Sequence, residues 1–145
     1  MRTFWLIVLT CAALPRIVVG SDENSNDKEK IQGTWSIISF EGDGEVVPAE
    51  KLRGRVVVIT ATKFTFGKEE AEYKIDPSMK PRRHFDLQED KEKKRRTAPG
   101  IYLLEGDDLT LCWDSMQTLR PANFSSKGEP RTDRRLLVLK REKKP

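Results

Sequence analysis

The chain has 145 residues, of which 34% are charged and 37% hydrophobic, and its formal net charge is +4. This length fits one ordinary domain, which can bury a core without disulfide staples. Basic and acidic side chains are interspersed, a pattern typical of a solvated surface rather than of a dedicated polyanion-binding face.

Residues 1–20 follow the order of a secretory signal peptide. Arg2 gives a positive start, an apolar run covers residues 4–14, and small or β-branched residues precede Gly20. The run is too short for a stable transmembrane span, which needs roughly 20 apolar residues. We therefore expect cleavage after Gly20 and export to the periplasm or the outside of the cell, with no span left after cleavage. An uncleaved anchor stays open as the alternative, because Arg16 interrupts the apolar segment.

Residues 21–30 are polar and lack any periodicity, which predicts a disordered linker. The folded domain then covers residues 31–145. Cys112 is the one cysteine after the predicted signal peptide, so no intramolecular disulfide is expected. Its apolar neighbours predict a buried residue rather than a reactive thiol.

From residue 31 onward, short β-type runs alternate with turn residues. A short helical turn is predicted at 48–52, with Pro48 at its start. Residues 89–96 are mainly charged and predict a solvated loop, and residues 106–108 predict a hairpin loop of about three residues. The predicted strands cover residues 35–40, 55–60, 63–66, 71–75, 84–87, 101–105, 109–113 and 136–139.

Eight short strands and no long helix predict an all-β sandwich or barrel, and a barrel leaves no exposed sheet edge. An eight-strand barrel is just wide enough to be filled by side chains or to hold one small ligand. Both possibilities stay open, because aromatic residues serve either one. The predicted inward face consists of Trp35, Ile37, Val57, Ile59, Phe64, Phe66, Tyr73, Ile75, Phe85, Leu87, Leu109, Leu111 and Trp113.

The sequence also resembles a known family. Gly33-Thr34-Trp35 resembles the Gly-x-Trp opening of lipocalin-like (calycin) barrels, and further similar segments follow in order. They are 31–35, 47–52, 73–77, 100–102, 106–112, 120–121 with 124–126, and 137–141. Together they resemble a family of small exported lipocalin-like domains of unknown function, abundant in planctomycete bacteria. The resemblance implies a small antiparallel lipocalin-like β-barrel of about eight strands with a short helical turn. It implies no established activity.

The resemblance further implies that an arginine covers the first-strand tryptophan at the closed end of the barrel. Arg120 is the first choice for this structural role over Trp35, by a cation–π contact, and Arg141 is the second. Gly33 lacks a Cβ atom, so another segment can approach the backbone closely there.

No motif for catalysis or metal binding stands out. His84 is the one histidine, and a dyad with Cys112 requires the fold to bring them together. Basic clusters lie at 82–83 and 91–96. The one at 91–96 lacks interleaved aromatic residues and is diluted by Glu89, Asp90 and Glu92, so a nucleic-acid partner is not expected. We expect no enzyme activity, no cofactor and no metal.

The expected function is a non-enzymatic binding or interaction module, with a small apolar ligand or an envelope component as its partner. The candidate residues for a ligand inside the barrel are Trp35, Phe64, Phe66, Tyr73 and Trp113. The alternative is an accessory envelope protein with a filled barrel, which acts through its surface on an anionic partner.

Overall fold

The computed structural model describes residues 26–91 and 94–144, so the predicted signal peptide, residues 1–20, lies outside the described residues, as do residues 21–25. The described chain forms nine antiparallel strands, and eight of them close into a barrel. The elements are α1 (Asp27–Lys30), β1 (Gly33–Gly42), β2 (Glu45–Val46), α2 (Ala49–Leu52), β3 (Val56–Ile59), β4 (Lys63–Phe66), β5 (Glu69–Asp76), β6 (Arg83–Lys91), β7 (Lys94–Glu105), β8 (Asp108–Asp114) and β9 (Arg134–Arg141). The predicted all-β barrel with a short helical turn is confirmed.

The barrel closes because β1 pairs with β3 on one side and with β9 on the other. Trp35 lies opposite Val57 of β3 and Arg141 of β9. All other neighbours in the barrel are consecutive in sequence. β2 stands apart from this ring and forms a short hairpin with the upper part of β1. We call the end at which β1 begins and β9 ends the lower end, and the opposite end the upper end.

The core lies inside the barrel because apolar residues alternate with polar ones along the strands. Each of the thirteen residues predicted to face inward belongs to one hydrophobic cluster or packs against it. Phe66 and Ile75 are the two that are only partly buried. Phe85, Leu109 and Leu111 are fully buried at 0% exposure. This part of the sequence-based prediction is confirmed.

The predicted disordered linker is wrong for its last residues. Residues 27–30 form α1, and the Asp27 side chain is buried at the lower end of the barrel. The segment looked unpatterned because its buried residue is an aspartate, whose partners lie far away in sequence on β6 and β7.

The predicted loop at 89–96 is also wrong, because β6 extends to Lys91 and β7 begins at Lys94. Glu89 lies opposite Arg96, and Asp90 lies opposite Arg95. Opposite charges on facing strand positions favour this pairing. The hairpin between β7 and β8 is tighter than predicted, with Gly106 and Asp107 as its two connecting residues.

Candidate functional site

Four of the five residues proposed to line an internal ligand site are buried in the core, and the fifth, Phe66, is partly buried and packs against it. Trp35 is 0% exposed, Phe64 4% and Trp113 7%. The Phe64 ring contacts the Trp113 ring edge-on at a centroid distance of 6.3 Å. Tyr73 is buried as well, and burial raises the pKa of its hydroxyl, which donates to the Thr60 carbonyl at 2.6 Å. These side chains therefore pack against other protein groups in the core of the barrel.

Arg141, rather than Arg120, covers Trp35 at the lower end. Its guanidinium lies 4.2 Å from the Trp35 ring centroid, a cation–π distance. It also donates to the carbonyls of Lys30 and Gln32. Arg141 reaches this place because it faces inward at the end of β9, directly opposite Trp35.

Gly33 makes this packing possible. Its φ angle is +140°, and a Cβ atom there would lie 2.7 Å from the Arg141 guanidinium. A larger residue would therefore be strained and would displace the arginine. The predicted close approach at Gly33 is confirmed, with Arg141 as the approaching group.

Arg120 lies instead on the outer wall, which corrects its predicted role in closing the barrel. Its guanidinium binds the Asp86 carboxylate at 2.5 Å and the Gly100 carbonyl at 2.7 Å. Arg120 belongs to the irregular segment 115–133, which we call the cover segment. Because Asp86 and Gly100 are on β6 and β7, these bonds hold the cover segment against the wall of the barrel.

Asp114 fixes the start and the end of the cover segment. Its carboxylate is fully buried and accepts bonds from the backbone N–H groups of Met116, Thr118, Leu119 and Asp133, and from the Thr118 hydroxyl. Burial alone would raise the pKa of this carboxyl, but the donated hydrogen bonds outweigh it and lower the pKa to about 2. A carboxylate with so many donors stays ionised at neutral pH.

The conceivable His84–Cys112 dyad does not form. His84 lies opposite Ile101, and Ile101 lies opposite Cys112, so a whole strand separates the two side chains. At a strand spacing of about 4.8 Å, the gap is roughly 10 Å. Burial raises the pKa of the Cys112 thiol, which contacts the Ser125 carbonyl at 3.5 Å. The thiol is therefore a packed group under the cover segment.

A groove opens on the outer wall beyond Ser36, where β1 continues but its pairing with β3 has ended. Its volume is about 280 Å³. Ile38 is 59% exposed at its rim, beside an irregularity in the β1–β9 pairing. The lining residues are Ser36, Ile37, Ile38, Ala49, Leu52, Arg53, Gly54, Arg55, Val56 and Glu142.

Two arginines give this groove a positive rim. Arg53 and Arg55 are exposed, and within residues 26–91 and 94–144 neither makes an ion pair or a side-chain hydrogen bond. The Glu142 carboxylate on the other wall accepts a bond from the Ser36 hydroxyl at 2.9 Å. The sequence signal for this site is Arg53-Gly54-Arg55 directly after the helical turn, and the pattern of these three residues alone does not predict a groove.

Comparison with protein-family models, with curated proteins and with solved structures found no match. Among the described residues, no helix is both long and apolar enough to cross a membrane.

Proposed function

We propose that this protein is a non-enzymatic interaction module that uses a filled barrel as a scaffold and binds an anionic partner through its outer groove. The observation that supports this proposal best is the packing of the interior. Trp35, Phe64 and Trp113 contact other core side chains and are at most 7% exposed. A ligand inside the barrel would have to displace them, whereas the groove is already open.

The chemistry of the groove favours a partner that is both anionic and partly apolar. Arg53 and Arg55 offer guanidinium groups that bind carboxylates and phosphates in a fixed, two-pronged geometry. Ile38 and Val56 offer apolar surface next to them. A volume of about 280 Å³ suits one anchoring side chain or a short acyl chain.

Export is part of this proposal and depends on the signal-like pattern of residues 1–20. We propose that the mature protein begins at Ser21 and works in the periplasm or outside the cell, as a lipocalin-like domain with an envelope component as its partner. Sequencing of the N-terminus of the protein from its own host tests this. A product that begins at Met1 and stays in the cytoplasm would refute it.

Native mass spectrometry with two matched amphiphiles tests the groove. Dodecanoate and dodecylammonium carry the same chain with opposite charge. We expect dodecanoate to bind the native protein, and Arg53→Gln/Arg55→Gln to weaken it at least tenfold. The exposed pair Arg95→Gln/Arg96→Gln serves as the control with the same change in charge.

A contrary outcome would identify the interior as the site. If the groove variant keeps full affinity for dodecanoate while Phe64→Trp, which overfills the core, loses it, the ligand enters the barrel. Equal binding of both amphiphiles to all variants would refute an anion-specific groove.

A further inference from the structure

Arg134 is the most deeply buried arginine among the described residues. Four other arginines that are half-buried each have a carboxylate within ion-pair distance. They are Arg83 with Asp27 at 2.9 Å, Arg120 with Asp86 at 2.5 Å, Arg135 with Asp133 at 2.6 Å and Arg141 with Asp107 at 3.4 Å. Arg134 is more deeply buried than any of them, at 6% exposure, and within the described parts of the chain it makes no ion pair or side-chain hydrogen bond.

The position of Arg134 explains its burial. It opens β9 opposite Asp114, at the place where the cover segment returns to the barrel. A Cβ atom on Gly128 would lie 3.2 Å from Cγ of Arg134, so this glycine lets the cover segment close over the arginine stem. The Nε atom is the one fully buried side-chain nitrogen or oxygen among the described residues that has no hydrogen-bond partner.

The carboxylates close to Arg134 in the sheet are already engaged. Asp114 accepts its hydrogen bonds from the cover segment, and Asp133 pairs with Arg135. Glu41, on β1, accepts a bond from the buried Ser126 hydroxyl at 2.7 Å. Among the described residues, no carboxylate therefore lies within ion-pair or hydrogen-bond distance of the Arg134 guanidinium, although ionised Asp114 faces it on β8. A buried guanidinium without a hydrogen-bonded acceptor is costly. A water molecule would satisfy Nε but would not neutralise the charge.

We propose that Arg134 binds a small oxyanion from solution, of the phosphate or carboxylate type, where the cover segment meets the start of β9. The anion supplies the acceptor at ion-pair distance that the other four arginines find in aspartates. The remaining exposed fraction of the side chain is the route by which the anion reaches the guanidinium. This site is separate from the groove, because it lies on β9 and the cover segment, and it stands whether or not the groove binds a partner.

Urea unfolding at pH 7 and constant ionic strength tests the proposal. With sodium phosphate or sodium acetate in place of sodium chloride, the unfolding midpoint of the native protein should rise and then saturate, as binding to the folded state requires. Arg134→Met should abolish the saturable rise and should fold normally in chloride, since it removes an unpaired charge. Arg131→Met, an exposed position in the same segment, should respond like the native protein.

General salting effects of phosphate act on every variant alike, so the difference between variants isolates the site. Line broadening of the phosphate ³¹P signal by the native protein, absent with Arg134→Gln, provides a second readout that needs no unfolding. An equal response of Arg134→Met and the native protein would overturn the proposal. Equal unfolding midpoints of the native protein in phosphate, acetate and chloride would also overturn it, because no binding specific to an oxyanion would then occur.

Discussion

Asp114 is the residue whose charge state most affects the cover segment. Its pKa falls from an ordinary value of 3.8 to about 2 in the folded protein. The stability it provides is therefore fully present above pH 4 and is lost as the pH falls through 2. We expect the free energy of unfolding to drop by about 2 kcal/mol across this window from this group alone.

Asp114→Asn tests this directly. At pH 6 the variant should be less stable by about 2 kcal/mol, because the asparagine NH₂ group is a donor and would face N–H groups that are donors as well. The difference should shrink between pH 4 and pH 2, as measured by urea unfolding. Asp108→Asn is the control, since Asp108 pairs with Lys140 on the surface and both side chains are more than half exposed. A constant deficit for Asp114→Asn at all pH values would contradict the shifted pKa.

Trp35 and Arg141 should be energetically coupled. Trp35→Ala should cost about 3–5 kcal/mol, the usual result of truncating a buried aromatic residue. Arg141→Met should cost about 1–2 kcal/mol through the lost carbonyl and ring contacts. In a double-mutant cycle the two losses should overlap by about 1 kcal/mol. Arg120→Met is the control and should add to Trp35→Ala without coupling.

The comparison of Arg120 and Arg141 shows which positions of single residues can be predicted from the sequence. The place of Trp35 in the core follows from alternation and from the Gly-x-Trp opening. Which arginine covers Trp35 does not follow from the sequence, because it depends on the register of β1 against β9 where the barrel closes. Arg53 and Arg55 were overlooked for a related reason, since nothing in their local sequence indicates that the wall opens beside them.

At the scale of single elements, α1 acts as a plug for the lower end of the barrel. The Asp27 carboxylate accepts bonds from the Tyr102 hydroxyl at 2.6 Å and from Arg83 at 2.9 Å. Burial and the neighbouring carboxylate of Asp27 raise the pKa of the Tyr102 hydroxyl, so it remains a donor at all ordinary pH values. The Trp35 indole N–H also donates to the Ile31 carbonyl, which connects the plug to the core.

Removing the Asp27 carboxylate should loosen this plug. Asp27→Ala leaves the Tyr102 hydroxyl and Arg83 without their acceptor, and should cost about 2–4 kcal/mol in urea unfolding. In residues 21–145 carrying Trp113→Phe, where Trp35 is the one tryptophan, quenching of fluorescence by acrylamide should increase. Glu29→Ala, an exposed change on the same turn, should alter neither quantity. If Asp27→Ala is as stable as Glu29→Ala, then α1 does not contribute to closing the barrel.

The charged hairpin of β6 and β7 should contribute little stability despite its regular pairing. Arg95 binds Glu72 at 3.3 Å, but the two side chains are 72% and 48% exposed. Exposed pairs of this kind contribute about 0–1 kcal/mol. Replacing residues 94–96 by serine should therefore change the unfolding free energy by less than about 1 kcal/mol. Leu87→Ala, in the buried part of the same hairpin, should cost about 2–5 kcal/mol. A large loss in the serine variant would show that the hairpin is packed.

The strands that the sequence predicted and those it missed differ in one physical respect. Residues 71–75 alternate apolar and charged side chains because one face is buried and the other solvated. The upper part of the hairpin buries neither face, so its pattern is polar throughout and local periodicity carries no signal. α1 consists of four polar residues, and its position depends on partners more than fifty residues away.

For the whole molecule, the sequence predicted the closed eight-strand barrel. It did not predict whether side chains or a ligand occupy the interior. Aromatic residues on the inward face are equally compatible with a cavity and with a packed core. Only the mutual contacts of Phe64, Phe85 and Trp113 favour the packed core. The proposed binding site is therefore the groove on the outer wall, whereas the candidates predicted from the sequence lie in the interior.

The pairing of the first barrel strand with the last has a consequence for how the chain reaches its native state. The Ser36 hydroxyl meets the Glu142 carboxylate across 106 positions of sequence. The ring cannot close until residues 134–141 have been synthesised, so the nascent chain has no complete core to form on the ribosome. Such distant contacts also make folding slow. If the chain crosses a membrane, as we propose, a late-closing topology keeps it unfolded during transit and lets it fold once the last strand arrives.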